Sequence, residues 1–457
     1  MKDRILIRTF VLAVTLSFIT QLVFAQETAR VGAQREVPAI LAGHALFPVR
    51  STVATPQDAP SDLFFSGKYT TGVRVTELGS VEGRSGGRPT GIGLPIIEQP
   101  RQGHSGIKYM ADGTYWVLSD NGFGNKANSP DAMLFLSQYT IDWNSGAVRP
   151  LRVVFLHDPD HKVPFHIVNE SSEKRYLTGS DFDPESFQFT HDAIWIGDEF
   201  GPYLIKTDFN GRVQAVFETL VDGKVVKSPD NPTLTMPGNP DGNLNFQVVR
   251  SKGFEGMALS KDGTKLYPLL EGALWTGTEY ENIDGRRYLR ILEFDLAKEE
   301  WSGRYWQYVL ENNELAIGDF NMIDDTHALV IERDNGEGTE DRALPPGGSP
   351  ERFFTSVAQF KRVYRIMFSE ENAGGPVEKQ AYIDLMNISD PDKRSRVPLN
   401  NGRFTFPFFT IECVDVVFNN HIVVGNDNNF PGSSSREPNR ADDNEFILLR
   451  VDSLFDY

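Results

Sequence analysis

The stretch that decides the fold is residues 184–199, which read Pro-Glu-Ser-Phe-Gln-Phe-Thr-His-Asp-Ala-Ile-Trp-Ile-Gly-Asp-Glu. It contains a polar start, an apolar run, a turn with Asp, and a second apolar run that ends in acids. Short β-favouring runs separated by turn residues are typical of antiparallel strands. The stretch therefore predicts a β-hairpin with carboxylates at the start of one strand and at the end of the next.

The same pattern occurs five times along the chain. Its paired polar positions are 16, 14, 16, 13 and 15 residues apart, and successive copies begin 81, 70, 64 and 93 residues apart. A further strand with an acidic turn follows the hairpin, as in Leu448-Leu-Arg-Val-Asp452. Self-similarity on this scale is typical of propeller blades. We predict an all-β fold, a β-propeller of four-stranded blades around a central channel, with a sixth blade from the less regular residues 61–100.

The paired polar positions supply the candidate site, because the innermost strand of a propeller blade runs along the channel. The first set comprises His104, Glu185, Glu255, Asp319 and Glu412. The second set comprises Asp120, Glu199, Glu271, Glu332 and Asp427. So many like charges around one axis require compensation, and a hard cation with oxygen ligands such as Ca²⁺ fits this chemistry. The alternative for any single acid is a solvated turn.

Each candidate has an expected role. We expect the metal ligands to come from Glu185, Glu255, Glu271, Glu412 and Asp427. Glu199 or Glu332 is then the candidate base that takes a proton from the attacking water. Arg333 could clamp a phosphate or carboxylate, or it could form an internal salt bridge. His104 could act as an acid or a ligand, or it could be a satisfied internal histidine.

The composition excludes several classes of partner. The chain of 457 residues carries a net charge of −18, and residues 1–25 hold three basic groups and one acid, so their removal would leave −20. Such a chain lacks the basic surface that nucleic acids and anionic membranes require. The single cysteine, Cys413, cannot form an internal disulfide, and its neighbours predict a buried structural thiol. We therefore expect a monomer that binds a small molecule.

The N-terminal segment predicts export. Residues 1–25 combine Lys2, Arg4 and Arg8 with a short apolar run and a small-residue stop at Ala25, which are the marks of a secretory signal peptide. The rival interpretation is a membrane anchor, but the run is short for a span of about 20 residues. Residues 26–60 are predicted to be a leader or strap, and residues 61–457 the propeller domain. The mature chain is expected in the periplasm or the medium.

Four motifs resemble the phytase-like domain family, which is also described by the esterase-like activity of phytase. They are Asp183-Pro-Glu-Ser186, Trp195-Ile-Gly-Asp-Glu-Phe-Gly-Pro202, Glu332-Arg-Asp334 and Gly425-Asn-Asp-Asn428. The resemblance covers residues 63–452. It implies a β-propeller related in architecture to calcium-dependent propeller phytases and metal-dependent lactonase propellers. It also implies hydrolysis of an ester, with a phosphoric ester as the expected substrate.

Three functions remain open at this point. The first is metal-dependent hydrolysis of a phosphoric ester, and the second is hydrolysis of a lactone or carboxylic ester at the same site. The third is a non-catalytic exported propeller that binds protein or carbohydrate. Fold alone does not decide among them. The carboxylates together with Arg333 favour catalysis on an anionic ester, which this acidic chain would repel without a bound cation.

Overall fold

The computed structural model describes residues 35–239, 242, 244–418 and 420–456. The predicted signal peptide and the leader as far as residue 34 lie outside the described residues. Strands dominate, and the helical elements among these ranges are short 3₁₀ turns, at Ser61–Phe64, Glu340–Arg342, Glu370–Asn372 and Asp452–Leu454. Within the same ranges, no helix has the length and apolar character needed to cross a membrane.

Five antiparallel sheets form the blades, which we number by the chain order of their innermost strands. Blade 1 contains His104–Tyr109, Tyr115–Ser119, Phe135–Asp142 and Ala147–Phe155. Blade 2 contains Pro184–Phe189, Ile194–Asp198, Tyr203–Thr207 and Val213–Glu218. Blade 3 contains Phe254–Leu259, Lys265–Leu270, Arg286–Asp295 and Glu300–Val309, with the short strand Asn282–Ile283 at its edge. Blade 4 contains Ala316–Met322, His327–Arg333, Lys361–Met367 and Glu378–Asp384. Blade 5 contains Thr410–Val416, His421–Asp427, Asn444–Arg450 and Ile40–Phe47.

The ring closes with five blades. Each innermost strand packs against the next, and the innermost strand of blade 5 packs against that of blade 1, which leaves no gap for another blade. The predicted propeller fold is confirmed, whereas the described residues form five blades rather than the expected six. The region expected to supply the sixth forms only short pairs: Thr52–Val53 with Gln99–Pro100, Phe65–Ser66 with Ile96–Ile97, and Val81–Ser85 with Arg88–Leu94. A similar pair, Leu220–Val221 with Lys224–Val225, follows blade 2.

The outermost strand of blade 5 comes from the N-terminal part of the chain. Ile40–Phe47 pairs antiparallel with Asn444–Arg450, so strands from both ends of the described chain share one sheet. This strand lies within the predicted leader, residues 26–60, because a single strand that precedes the repeats carries no hairpin pattern of its own. Its alternating burial fits a strand with one face in the core.

Apolar side chains fill the gaps between the blades. Five clusters of buried residues lie between blades 1 and 2, 2 and 3, 3 and 4, 4 and 5, and 5 and 1. The last of these joins Ile107 and Val117 of blade 1 to Cys413 and Phe446 of blade 5. Cys413 is a buried free thiol, as the sequence predicts. The ring is therefore held by hydrophobic contacts between blades, while hydrogen bonds hold each sheet.

A buried polar network also joins the outermost strand of blade 5 to its neighbour. His44 Nε2 lies 3.0 Å from Glu445 Oε2, and the Arg396 backbone N–H donates to His44 Nδ1. Because Nδ1 accepts, Nε2 carries the proton and donates to Glu445 even when the ring is neutral. Arg436 donates to both Glu445 oxygens at 2.9 and 2.7 Å. Burial opposes ionisation of Glu445, but Arg436 and His44 outweigh it and lower its pKa to about 2.

Leu41→Ala tests whether the N-terminal strand is part of the fold. Leu41 is fully buried in the cluster between blades 4 and 5, so its truncation should lower the free energy of unfolding by about 2–5 kcal/mol in urea titrations. Leu151→Ala, on the outermost strand of blade 1 where Leu151 is 55% exposed, is the control and should cost under about 1 kcal/mol. Equal losses for the two variants would contradict the placement of Ile40–Phe47 in blade 5.

Glu445→Gln tests the polar network through pH. Because the pKa of Glu445 is depressed in the folded state, its stabilisation is present above the unfolded pKa and is lost as the pH falls toward 2. The variant should be less stable than the unmodified chain by roughly 3 kcal/mol at pH 7. The difference in unfolding free energy should shrink steadily below pH 4.5. A difference that does not change between pH 7 and pH 3 would exclude this ion pair as its source.

Candidate metal centre in the central channel

A β-bulge near the start of the innermost strands positions three glutamates. The pairing with the second strand shifts register between Pro184 and Ser186, between Phe254 and Gly256, and between Ile411 and Cys413. The extra, unpaired residues are Glu185, Glu255 and Glu412. A bulge re-aims a side chain away from the regular alternation of the strand. These three side chains are therefore at equivalent positions in blades 2, 3 and 5.

The second strands end at a matching level. The backbone N–H groups of Asp120, Glu199 and Glu271 donate to the carbonyls of Gly103, Asp183 and Gly253, which lie two residues before Ser105, Glu185 and Glu255. In blade 5, Asp427 pairs with Thr410 at the same position. In blade 4 the corresponding pair is Arg333 with Ala316. The repeat thus places four acids and one arginine at the ends of the second strands.

Eight carboxylates form what we call the acidic cluster, at the channel end where the innermost strands begin. Its members are Asp120, Asp183, Glu185, Glu199, Glu255, Glu271, Glu412 and Asp427, and each lies close enough to another member for their charges to interact. Two groups of three offer ligand oxygens that all lie within 4.8 Å of one another. The first triad is Glu199, Glu255 and Glu271, and the second triad is Asp183, Glu185 and Glu199.

Glu199 belongs to both triads because its backbone packs against the neighbouring blade. A Cβ atom added at Gly253, at the entry to blade 3, would lie 2.5 Å from Glu199 Cα. Only glycine permits this approach, and it brings a residue of blade 2 beside Glu255 and Glu271 of blade 3. One oxygen in each of Glu199, Glu255 and Glu271 is buried without a hydrogen-bond partner. Unsatisfied buried oxygens of this kind are costly unless a proton, water or a cation contacts them, and three that belong to one triad suit a cation.

The acidic cluster resists ionisation. Burial first, and the charges of neighbouring carboxylates second, raise the pKa values of Glu185, Glu199, Glu255 and Asp427 well above their ordinary range. The same causes raise the pKa of Asp120 to about 6. Burial raises the pKa of Asp183 to about 7, and the charges of Asp120 and Asp198 act in the same direction. A bound cation would reverse this balance and favour the ionised forms.

Two basic side chains partly offset the negative charge. Arg333 donates from Nη2 to Glu412 Oε1 at 3.1 Å and from Nη1 to Asn335 Oδ1 at 2.7 Å, while its buried Nε has no partner. Lys252 Nζ lies 2.5 Å from Glu271 Oε2, and its side chain is 37% exposed. The charges of Glu271 and Glu199 outweigh the burial of Lys252 and raise its pKa.

Three of the sequence-predicted residues are not brought into the acidic cluster, since each lies one residue out of register. His104 is enclosed by Phe47, Tyr139 and Phe446, and burial together with the charge of Arg101 lowers its pKa to about 3. Its neighbour Ser105 takes the equivalent position and donates to Glu412 Oε2 at 3.1 Å. His104 is therefore a packed internal histidine.

Glu332 lies on the opposite side of its strand from Arg333. It accepts hydrogen bonds from Lys379 Nζ at 2.6 Å, from Tyr308 OH at 2.7 Å and from the Glu311 backbone N–H at 2.7 Å. These donors satisfy the buried carboxylate away from the channel. The structure does not place Glu332 where it could act as the base that the sequence analysis considers.

Asp319 lies deeper in the channel, where it joins a polar layer. Asp319 Oδ2 accepts from the backbone N–H groups of Ile107 and Val414, in blades 1 and 5. Asn321 donates to Val414 and accepts from Gln188 of blade 2, which also donates to the Met257 carbonyl of blade 3. Burial raises the pKa of Asp319 to about 7. This layer links the innermost strands of all five blades below the acidic cluster.

Asp183 and Lys252 are site residues that are not among the candidates from the sequence. Asp183 lies two residues before Glu185, and the period of a β-strand puts residues i and i+2 on one face, so this signal was available. Lys252 lies in the loop before blade 3, and no periodic or motif signal identifies it. The structure brings together in the channel the other candidates from the sequence, which are Glu185, Glu199, Glu255, Glu271, Glu412, Asp427 and Arg333.

Glu255→Gln and Glu332→Gln compare two buried glutamates with opposite surroundings. The folded-state pKa of Glu255 is raised, so the cation-free chain should lose stability as the pH rises above about 5. Glu255→Gln should remove part of that loss and stabilise the cation-free chain at pH 8 by about 1–3 kcal/mol. Glu332→Gln should instead destabilise it by about 3 kcal/mol, because Lys379 loses its buried partner.

Thermal and urea unfolding after chelation measures both effects, and Ca²⁺ is then added back. Calcium should stabilise the unmodified chain and Glu332→Gln by similar amounts, and Glu255→Gln by much less. A destabilising effect of Glu255→Gln in the cation-free chain would contradict the proposed repulsion within the acidic cluster.

A known protein family matches most of the chain. The family model described as phytase-like, esterase-like activity of phytase, matches residues 99–430. An uncharacterized secreted protein of Arthroderma benhamiae is 33% identical over 123 residues, and the match covers 23% of this chain and 22% of that protein. The chain thus spans about a fifth of the length of this curated relative.

Two solved structures are similar over most of the chain. The periplasmic gluconolactonase of Pseudomonas aeruginosa is 14% identical, with 84% of this chain and 98% of that chain covered and a TM-score of 0.31. The aldose sugar dehydrogenase of Streptomyces coelicolor is 10% identical, with 76% and 94% covered and a TM-score of 0.29. The family match spans well over half of the chain, and this chain belongs to the phytase-like family described by the esterase-like activity of phytase.

Proposed function

We propose that this chain is an exported, cation-dependent hydrolase of an ester, with a phosphoric ester as substrate and Ca²⁺ as the cation. The observation that carries the proposal is the convergence of Glu199, Glu255 and Glu271, which offer ligand oxygens within 4.8 Å of one another and each have one buried oxygen without a hydrogen-bond partner. The family description supports ester hydrolysis. The secreted relative supports export, together with the signal-like residues 1–25.

The donor set fits a hard divalent cation. Glu199, Glu255 and Glu271 would hold it, and Glu185, Glu412 and Asp427 lie in the same acidic cluster as further candidate ligands. Ca²⁺ accepts six to eight oxygen ligands in flexible geometry, which suits carboxylates from several blades. Neither triad contains histidine or cysteine, which are the usual ligands of zinc. A divalent cation bound here would supply Lewis-acid polarisation of the ester oxygen.

Arg333 is the proposed anion-binding residue. It occupies the one repeat position among the second-strand ends where blade 4 substitutes a base for an acid. Its free Nε and its Nη2 on Glu412 present a guanidinium edge inside the cluster. Guanidinium edges bind phosphate and carboxylate oxygens through paired hydrogen bonds. This arrangement favours an anionic ester over a neutral one.

Asp120 is the proposed base. The sequence also offers Glu199 for that role, but its place in both triads fits a cation ligand better. Asp120 keeps one oxygen on the Gly122 N–H and the Gln102 amide, and its pKa of about 6 leaves it ionised at neutral pH. It can therefore accept a proton from an attacking water.

Other functions make different demands on the same site. A lactone or carboxylic ester has no phosphate for Arg333, so its hydrolysis would not depend on that side chain. A non-catalytic propeller that binds protein or carbohydrate would use the cation for stability alone. We propose a monomer that acts on a small molecule, without nucleic acid or membrane partners after removal of the signal peptide.

A cation-restored hydrolysis assay tests the proposal. The mature chain is stripped with chelator and then assayed with CaCl₂ on phosphomonoester, phosphodiester, lactone and carboxylic ester substrates. We expect turnover of a phosphoric ester only with Ca²⁺. Asp120→Asn should lower kcat about a hundredfold or more with little change in KM, since it removes the base alone. Full activity after exhaustive chelation would refute cation dependence.

Arg333→Lys tests the substrate class. The variant keeps the charge beside Glu412 but loses the paired hydrogen bonds, so KM for the phosphoric ester should rise about tenfold or more. Arg304→Lys is the matched control, because Arg304 pairs with Glu293 and Glu370 and is 41% exposed outside the channel. Its kinetics should not change. Equal effects of Arg333→Lys on charged and neutral substrates would make Arg333 a structural partner of Glu412.

A further inference from the structure

The acidic cluster contains more ligand oxygens than one cation can contact. Ca²⁺ binds oxygen at about 2.3–2.6 Å, so ligand atoms on a single ion lie within about 5 Å of one another. The five carboxylates of the two triads form two such groups rather than one. A cation in the first triad, on Glu199, Glu255 and Glu271, therefore does not also contact Asp183 and Glu185.

The charge of the acidic cluster also favours more than one bound cation. Eight carboxylates and two basic side chains, Arg333 and Lys252, have a formal charge of −6 when all are ionised. One divalent cation leaves −4 within a buried site, and a phosphoric ester would still be repelled. Two divalent cations leave −2, so the electrostatic repulsion of an anionic substrate is weaker.

The second triad also has features of a prepared ligand set. Asp183 is 2% exposed, and it is oriented by Asn121, whose side-chain amide donates to Oδ2 at 2.7 Å and whose backbone N–H donates to Oδ1 at 3.2 Å. Hydrogen bonds of this kind orient carboxylates that bind metals. Glu199, which belongs to both triads, is 4% exposed, and its Oε1 is buried without a hydrogen-bond partner.

We infer that the channel binds two divalent cations, one in each triad, with the Glu199 carboxylate as the shared ligand between them. This inference deepens the proposed function, since it concerns the same site. Asp183 and Glu185 hold the second cation from blade 2, and Glu255 and Glu271 hold the first from blade 3. Paired cations that share a carboxylate suit displacement at phosphorus, because they contact both the entering and the leaving oxygen. The substrate class that fits is a phosphoric ester.

Calcium binding to the stripped chain provides the test, with CaCl₂ alone as the probe. Isothermal titration and metal analysis after equilibrium dialysis should give two Ca²⁺ per chain. Asp183→Asn and Glu271→Gln should each weaken the binding of one ion about tenfold or more, because each removes charge from one triad. The affinity for the other ion should not change. Glu199→Gln should weaken both ions. Glu370→Gln, a surface control with Glu370 78% exposed, should bind as the unmodified chain does.

The outcomes separate the inference from the proposed function. One Ca²⁺ per chain, or one ion unaffected by Glu199→Gln, overturns the shared site whether or not an ester is hydrolysed. Two ions with the expected pattern support it, even if no ester turns over and the proposed hydrolase fails. If Glu199→Gln does not fold, the Asp183→Asn/Glu271→Gln double variant replaces it. This double variant must bind both ions more weakly, and an unchanged affinity for either ion overturns the inference.

Discussion

The β-bulge near the start of the innermost strands is the constraint on which the candidate site depends. In a regular strand, residues alternate between the two faces of a blade, and neither face is the channel axis. The bulge leaves one residue unpaired and turns it inward, and in blades 2, 3 and 5 that residue is glutamate. The ring then brings the three side chains to one level. Close packing at Gly253 adds Glu199 from the next strand end.

The repulsion within the acidic cluster lowers the stability of the fold. Glu332 and Glu255 are both buried glutamates, yet Glu332 has three donors and Glu255 retains an oxygen with none. A fold selected only for stability would satisfy or neutralise such a carboxylate. Stability comes from outside the channel, where the hydrophobic clusters between the blades and the shared terminal sheet of blade 5 offset the repulsion. The repulsion is therefore a local property of a rigid ring.

The sequence predicted the fold from its repeats, and it identified most of the residues that meet in the channel. Its errors at the site are errors of register. His104, Asp319 and Glu332 each lie one residue from the equivalent position, because sequence spacing alone does not locate a bulge or show where pairing shifts. Lys252 reaches the cluster from a loop, where no periodicity applies. The predicted number of blades differs from the observed five for another reason. The closure of the ring depends on contacts between blades, and local sequence patterns do not encode these contacts.

The polar layer below the acidic cluster ties the five innermost strands to one another. Hydrogen bonds through Asp319, Asn321 and Gln188 join all five blades across the axis, and these side chains are almost fully buried. A side chain in this layer cannot move without breaking a hydrogen bond to another blade, so the position of the layer is set by the whole ring and not by one sheet.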